Sequence, residues 1–250
     1  VRCDGTCQPV HGEHLLQLTF RGEQIPLDDT LRQALPAYLQ PHWNSLNPSG
    51  RAGFTAQVRY ETSETAPTVD LVAWPEDKSV AVLPNFFRYR LEGIDGEFRF
   101  QNGQVVMTNV SAHHGGRTRV AAQRLHWLPN VQGGWQCDVL DLNVDRLQLL
   151  GNYELLLDAP VAIRKLVDQL QPAGSFSIHN GQIRVTKASE GAPSACDWNL
   201  RVGLQQNDFE LGVPLRNVSG MVALAGRYHD GQSYSAGNLE LESLFWQGLQ

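Results

Sequence analysis

The stretch from Gly96 to Met107, GEFRFQNGQVVM, decides the class of fold. Polar and apolar residues alternate on both sides of Asn102-Gly103, as they do in strands with one buried and one solvated face. An Asn-Gly pair suits a two-residue type I′ turn, because both residues tolerate positive φ angles. The stretch therefore predicts a β-hairpin. Its apolar positions are Phe98, Phe100, Val105 and Met107.

The same pattern returns later in the chain. From Gly174 to Val185 it predicts a second hairpin, with its turn at Asn180-Gly181 and with Phe176, Ile178, Ile183 and Val185 as apolar positions. A looser relative has Asp230-Gly231 at its turn and Val222, Leu224, Leu239 and Leu241 as apolar positions. Further alternating runs lie at 16–20, 54–60, 69–73, 80–83 and 200–204. Short strands of this kind predict a mainly β protein with a large antiparallel sheet system.

Two segments have helical spacing instead. Between Leu31 and Leu46 the apolar residues recur in steps of three and four, which predicts an amphipathic helix that Asp28 or Asp29 can cap. Pro36 and Pro41 must kink this helix or divide it. The segment 158–170 predicts a second short helix of the same kind.

These features recur at one offset of 124 residues. The offset relates Pro48 to Pro172 and Gly50 to Gly174, and it holds from the pair Leu16/Leu140 through the pair Gly96/Gly220. Beyond an insertion at 226–234, the run 106–108 matches 239–241 at an offset of 133. The sequence therefore predicts a lead-in at 1–15 and tandem curled antiparallel sheet units at 16–139 and 140–250. Each unit has one short amphipathic helix, and one continuous sheet is possible.

Composition excludes several classes of protein. The chain of 250 residues has 20 Lys plus Arg against 26 Asp plus Glu, with 42% hydrophobic and 18% charged residues. It lies far from the composition of disordered chains, and the absence of a basic block argues against nucleic acid as a partner. No apolar run reaches the ~18–20 residues of a membrane span. Catalytic signatures such as Gly-x-Ser-x-Gly, His-Glu-x-x-His and the phosphate loop are absent, so we expect a non-enzyme without cofactors.

The N-terminal stretch offers a weak candidate metal site. Its potential ligands are Cys3, Cys7, His11 and His14. The residue types suit zinc, but the spacing leaves no room for the excursion that separates the Cys and His pairs of a zinc finger. A flexible terminal segment and a Cys3–Cys7 disulfide are the other interpretations.

Short motifs at the end of each unit carry a resemblance. The first unit has LEGIDG at Leu91–Gly96, TNVSA at Thr108–Ala112 and then Gly115-Gly116; the second keeps LRNVSG at Leu215–Gly220 without the Gly-Gly. Together with the order of strand, Leu-Pro helix, Pro-x-Gly and further strands, this resembles the AsmA-like/TamB-like proteins of bacteria with two membranes. The resemblance covers the chain from about residue 16 onward.

The resemblance implies a β-groove that is apolar inside and polar outside, similar to that of bridge-like lipid transfer proteins. In that case the chain is a segment of a longer periplasmic protein of the cell envelope. It would meet the inner and outer membranes through other parts of the chain, and its partner would be a phospholipid or another acyl-chain lipid. The twelve apolar hairpin positions named above are then candidates to line the groove, and the function is phospholipid transport or outer-membrane biogenesis.

Two alternatives remain open. The apolar alternation also fits the dry core of a structural or interaction scaffold. A β-sandwich that binds carbohydrate would need exposed, coplanar aromatic rings, for which Trp74, Trp135 and Trp198 are the candidates. Trp74 and Trp198 are again 124 residues apart, which favours a structural position for both.

Overall fold

A single open sheet dominates the structure, a computed structural model that describes residues 1–10, 13–35, 40–64, 66–85, 89–130, 132–149, 153–157, 161–189 and 191–246. Its described residues form twelve strands, which pair antiparallel in the order of the chain from β1 to β12. The strands are β1 Arg2–Val10, β2 Glu13–Pro26, β3 Arg51–Glu61, β4 Thr68–Pro75, β5 Glu92–Gln101, β6 Gln104–His114, β7 Thr118–Pro129, β8 Gly133–Leu147, β9 Ala173–Ser189, β10 Ser194–Glu210, β11 Pro214–His229 and β12 Gln232–Trp246. The prediction of a mainly β, antiparallel fold is confirmed, and the sheet does not close on itself.

Two of the three predicted hairpins are confirmed. Asn102 and Gly103 have φ angles of 51° and 75° between β5 and β6, where Gln101 pairs with Gln104. Asp230 and Gly231 repeat this geometry at 48° and 76° between β11 and β12. Positive φ at both central residues is the type I′ geometry, whose twist matches that of the flanking strands.

The predicted turn at Asn180-Gly181 is wrong, because β9 runs through it without reversing. Asn180 has a φ of 50° within the strand, and the backbone N–H of Asn180 donates to Oδ1 of Asn143 on β8 at 3.2 Å. On the other side, the pairing with β10 shifts by one residue between Asn199 and Arg201. The positive φ that suits a turn here suits a β-bulge, which adds one residue to a strand and bends it.

Two further predictions also need correction. The segment 1–15 is not a flexible lead-in, because Arg2–Val10 is strand β1 and pairs along its whole length with β2. The alternating run 80–83 is not a strand either. It makes only isolated bridges, Ala81 to Ser49 and Val82 to Leu91, and these fix the β4–β5 connection as a folded loop.

The first predicted helical segment is divided into two short helices, whereas the second, 158–170, contains one helix and a further short helix precedes it. They are α1 Asp29–Ala34, α2 Gln40–Leu46, α3 Tyr153–Leu157 and α4 Val161–Leu170. Asp28 caps α1 as predicted, since its Oδ1 accepts from the backbone N–H groups of Thr30 and Leu31 at 2.9 and 3.1 Å. Pro36 and the cap predicted at Asp158 lie outside the described residues.

The buried part of the sheet centres on three strands of its second half. Phe176, Leu204 and Val218, on β9, β10 and β11, form the hydrophobic cluster. Beside it lies Asn207, whose side chain is completely buried. Its Nδ2 donates to the carbonyls of Ala173 and Ser175 on β9, at 3.2 and 3.1 Å, and its Oδ1 accepts from the backbone N–H of Gln205 at 2.7 Å. Asn207 thus satisfies backbone groups that the bulge in β10 removes from the ladder.

We expect Asn207→Ala to lower the free energy of unfolding by roughly 2–4 kcal/mol, because it leaves buried backbone groups of β9 and β10 without partners. Urea unfolding followed by circular dichroism measures the change. Asn199→Ala, at an exposed position of the same strand, is the matched control and should cost less than about 0.5 kcal/mol. Equal losses in the two variants would contradict this role for Asn207.

Candidate functional site

An apolar row crosses all twelve strands on one side of the sheet. Residues that pair directly across antiparallel strands point to the same side, so the row can be followed from strand to strand. Its members, one from each strand in order, are Cys3, Phe20, Ala56, Leu71, Phe100, Val105, Trp127, Cys137, Val185, Cys196, Tyr228 and Ser233. Only its last member is a polar residue. We call this side of the sheet the apolar face.

Two more rows run beside the first on the same face. One passes from Gly22 on β2 through Phe54, Ala73, Phe98, Met107, Leu125, Val139, Ile183, Trp198 and Gly226 to Ser235. The other passes from Val120 on β7 through Val144, Ile178, Val202 and Val222 to Leu239. The three rows contain nine of the twelve predicted positions. The other three, Phe176, Leu224 and Leu241, join the same face through their partners: Leu224 pairs with Leu200, Phe176 pairs with Leu204, and Leu241 pairs with Gly220, which itself pairs with Leu204. All twelve predicted positions therefore share the apolar face.

Most of these side chains are only half-buried. Of the twelve, Phe176 is buried at 5% exposure, whereas Leu239 and Leu241 are 57% and 45% exposed. The other nine have intermediate exposure. Within the described part of the chain all strands belong to one sheet, so no second sheet lies over this face. The apolar face is therefore a continuous surface that the described residues cover only in part.

Helix α2 and the β4–β5 loop cover the middle of the face. The ring of His42 on α2 meets the ring of Trp127 edge-on, with centroids 5.0 Å apart. The backbone N–H groups of Leu83 and Asn85 donate to the carbonyls of Leu46 and Ser45 at 3.0 and 2.9 Å, which ties the loop to the end of α2. Helix α2, held by the β4–β5 loop, therefore covers part of the apolar face at β7.

Sequence reasoning missed the contribution of β7 and β8 to the apolar face. Leu125 and Trp127 on β7, and Cys137 and Val139 on β8, occupy the middle of the first two rows. Each pair alternates with a polar or charged residue, so the period of two was present in the sequence. No turn motif such as Asn-Gly lies beside this alternation, so the sequence alone does not mark it as a hairpin.

Charged residues form a ladder on the opposite side of the sheet. Arg184 on β9 pairs with Asp138 on β8, and Asp197 on β10 pairs with Arg227 on β11. Partial burial alone would raise the pKa of Asp138, but hydrogen bonds from Arg184 and Gln136 outweigh it and hold the pKa below its ordinary value. The sheet thus has one apolar and one charged face.

The cysteines do not form the predicted N-terminal site. Cys3 and Cys7 lie four residues apart in one strand, about 13 Å along its axis, which is too far for the proposed disulfide. His11 lies outside the described residues, and among the described ones no group of three or more His, Cys, Asp or Glu side chains is arranged to hold a metal. Burial, with a smaller effect of the adjacent carboxylates, raises the pKa of the Cys137 and Cys196 thiols.

The three candidate tryptophans do not share one surface. Trp74 lies on the charged face across from Gly53, whereas Trp198 lies on the apolar face across from Gly226. Trp135 is on the apolar face, two residues from Cys137. The offset of 124 therefore does not place Trp74 and Trp198 in equivalent positions, although each ring covers a cross-strand glycine.

None of the described helices is both long enough and apolar enough to cross a membrane. No protein-family model, curated protein or solved structure matches the chain.

We expect Asp138→Asn to lower the free energy of unfolding at pH 7, because it removes the ion pair with Arg184. The loss should be only about 1 kcal/mol, because solvent around the exposed Arg184 guanidinium screens the pair. The pKa of Asp138 is lower in the folded protein than in the unfolded chain, where it is about 4. The ion pair therefore contributes its full stabilisation at pH values above that unfolded-state pKa. As pH falls through the folded-state pKa, the stability difference between Asp138→Asn and the unmodified protein should vanish. Urea unfolding at several pH values measures it, and a difference that does not shrink as the pH falls below about 4 would refute the assignment.

Proposed function

We propose that this chain is a segment of an AsmA-like protein of the cell envelope, and that its apolar face is a groove for the acyl chains of phospholipids. The observation that carries the proposal is the set of apolar rows that cross the sheet while remaining half-exposed. A soluble protein rarely leaves so long an apolar surface without an occupant. No catalytic role is proposed for any residue.

The dimensions of the rows suit this occupant. Neighbouring strands lie about 4.8 Å apart, so a row through twelve strands is roughly 50 Å long. One leaflet of a bilayer contributes about 15 Å of hydrocarbon, half of the ~30 Å core. Several acyl chains could therefore lie one after another along the face, with the charged ladder of the other face toward water. In this proposal the protein works in the periplasm, in lipid transport or outer-membrane biogenesis.

The proposal includes two tandem six-stranded units, β1–β6 and β7–β12. In both, two helices separate the second strand from the third. Positive φ angles recur at the 124-residue offset in four pairs: Asn47 and Gln171, Gly50 and Gly174, Gly93 and Asn217, and Gly96 and Gly220. In this division the second unit begins at β7 rather than at residue 140.

The register of the last hairpin supports the same division. Phe98 pairs with Met107, and Val222, 124 residues after Phe98, pairs with Leu239. The offset from Met107 to Leu239 is therefore 132 rather than the 133 inferred from sequence. Eight extra residues, four in each strand, lengthen the β11–β12 hairpin. Because each strand gains an even number of residues, its apolar side chains stay on the same face of the sheet.

A non-catalytic structural scaffold is the second candidate, and the contact between His42 and Trp127 favours it, because α2 already covers part of the face. The lipid groove and the scaffold differ in what contacts the part of the apolar face that α2 leaves uncovered. The carbohydrate alternative has less support, since Trp74 lies on the opposite side of the sheet from Trp135 and Trp198.

Native mass spectrometry and lipid extraction of the purified chain test the proposal. We expect phospholipid to co-purify and to be removable with detergent while the sheet stays folded. A lipid-free protein that also fails to take up phospholipid from vesicles would refute the groove and leave the scaffold.

Phe100→Glu should reduce the co-purified phospholipid about tenfold, because acyl chains that cover this position would have to remove the carboxylate from water, which costs free energy. The variant should still fold, since Phe100 is half-exposed. Gln101→Glu adds the same charge at the next residue, on the charged face, and should retain lipid. If Phe100 instead belonged to a closed core, Phe100→Glu would unfold the protein, which circular dichroism detects.

A further inference from the structure

A fourth row lies beside the first one, near the ends of four central strands. It joins Pro129 on β7, Trp135 on β8, Lys187 on β9 and Ser194 on β10. Each of these residues is two positions away from a member of the first row in its own strand, so the fourth row also belongs to the apolar face. Pro129 ends β7 and Ser194 begins β10. We call these four residues the rim row.

Lys187 interrupts the apolar pattern of β9. Ile183 and Val185 precede it on the same face, where the alternation would place another apolar residue. The three rows described above contain no charged side chain. Of the three lysines in the chain, Lys187 is the one that lies in a strand. It therefore brings a positive charge to the border of an apolar surface.

The acidic residues in the neighbouring parts of β8 and β10 face away from Lys187. Asp138 and Asp197 lie on the charged face, where they pair with Arg184 and Arg227. Lys187 itself forms no ion pair with any residue that the structure describes. Its ammonium group is therefore available to an anion that approaches over the apolar face.

The side chain of Asn130 holds the backbone around the rim row in place. Its Nδ2 donates to the carbonyl of Ala188 at 3.0 Å, and its Oδ1 accepts from the backbone N–H of Gly134 at 2.8 Å. These two bonds join the β7–β8 turn to the end of β9. Gly134 permits the close approach, since a Cβ at this position would clash with the carbonyl oxygen of Lys187. The positions of the rim row are thus fixed before any ligand binds.

The chemistry of the rim row matches a ligand with one anionic and one apolar part. The methylene stem of Lys187 can lie along Val185 while its ammonium stays in water. Trp135 is half-buried beside it and Ser194 is exposed, and both side chains are hydrogen-bond donors. An ammonium group binds phosphate as a compact charge. The first row, two residues away, offers only apolar contacts in β7, β8 and β9.

We infer that the rim row binds the headgroup phosphate of an anionic phospholipid, with Lys187 as the counter-ion, while the acyl chains lie on the first row. The inference rests on the proposed lipid groove and adds to it a headgroup position and a charge preference. A headgroup of net negative charge keeps its full attraction to Lys187. In a zwitterionic headgroup the lipid's own ammonium group offsets part of that attraction. The site therefore favours phosphatidylglycerol over phosphatidylethanolamine.

Lipid uptake from mixed vesicles tests this preference. The detergent-stripped 250-residue chain is incubated with vesicles of equimolar phosphatidylglycerol and phosphatidylethanolamine, and native mass spectrometry identifies the lipids that it binds. The unmodified protein should take up about fivefold more phosphatidylglycerol, a modest preference because solvent screens the charge pair. Lys187→Gln should bring the ratio close to one, and Lys187→Arg should retain the preference.

Arg201→Gln is the matched control for Lys187→Gln. It removes one positive charge from an exposed position of β10 on the charged face, so it changes the net charge equally and should retain the preference. Both side chains are solvent-accessible, so the variants should fold, and circular dichroism checks that they do.

Acetylation of lysine amines distinguishes a lipid headgroup from free phosphate. Lys187 should react about tenfold more slowly when phosphatidylglycerol is present well above its Kd, because the bound headgroup covers the amine. Lys78 is exposed in the β4–β5 loop, at the opposite ends of the strands, and should react equally with and without lipid. Inorganic phosphate at the same concentration should leave Lys187 reactive, since it has no acyl chains to hold it at the rim row. Equal protection by inorganic phosphate would overturn the inference, because the site would then be an anion site that does not require lipid.

The same experiments separate failure of this inference from failure of the lipid groove. A chain that takes up phospholipid without a headgroup preference, or whose preference survives Lys187→Gln, contradicts the rim row alone and leaves the groove. A chain that takes up neither phospholipid contradicts the groove, and the inference that rests on it is overturned as well.

Discussion

Everything in this sheet depends on keeping one side of every strand aligned with the same side of its neighbours. Side chains alternate with a period of two, so a slip of one residue between two strands would turn an apolar row toward the charged face. Twelve strands share this register, and the first row keeps its side from Cys3 to Ser233. The apolar face exists only because each strand-to-strand junction preserves this alignment.

Bulges make that alignment possible in strands as long as β8, β9 and β10. Asp141, Asn180 and Gln206 each have a positive φ and lie where the register shifts. Each local insertion bends the strand and lets its residues resume the correct side. On β10, Asn207 provides the polar groups that the irregular backbone needs, and it does so beside the hydrophobic cluster. The hydrophobic cluster and an irregular stretch of the hydrogen-bond ladder therefore lie side by side.

The helices decide how open the apolar face is. α2 contacts it through His42 and Trp127, and the β4–β5 loop holds the end of α2 in place. α4 packs near β10, where Val167 is buried. The proposed groove is thus the part of the apolar face that α2, α4 and the β4–β5 loop leave uncovered. The lipid and scaffold proposals differ in what contacts that uncovered part.

The sequence by itself determined the class of fold, two of the hairpins and the alternation that separates apolar from polar positions along each strand. These follow from local chemistry, namely the period of two and the positive φ that Asn-Gly and Asp-Gly tolerate at a turn. Tertiary structure decided what local chemistry leaves open. Asn180-Gly181 is a bulge because β8 and β10 flank β9 along its length, and Arg2–Val10 is a strand because β2 offers it an edge. Trp74 and Trp198 fall on opposite faces for the same reason, since the face of a residue depends on the register of every strand between them.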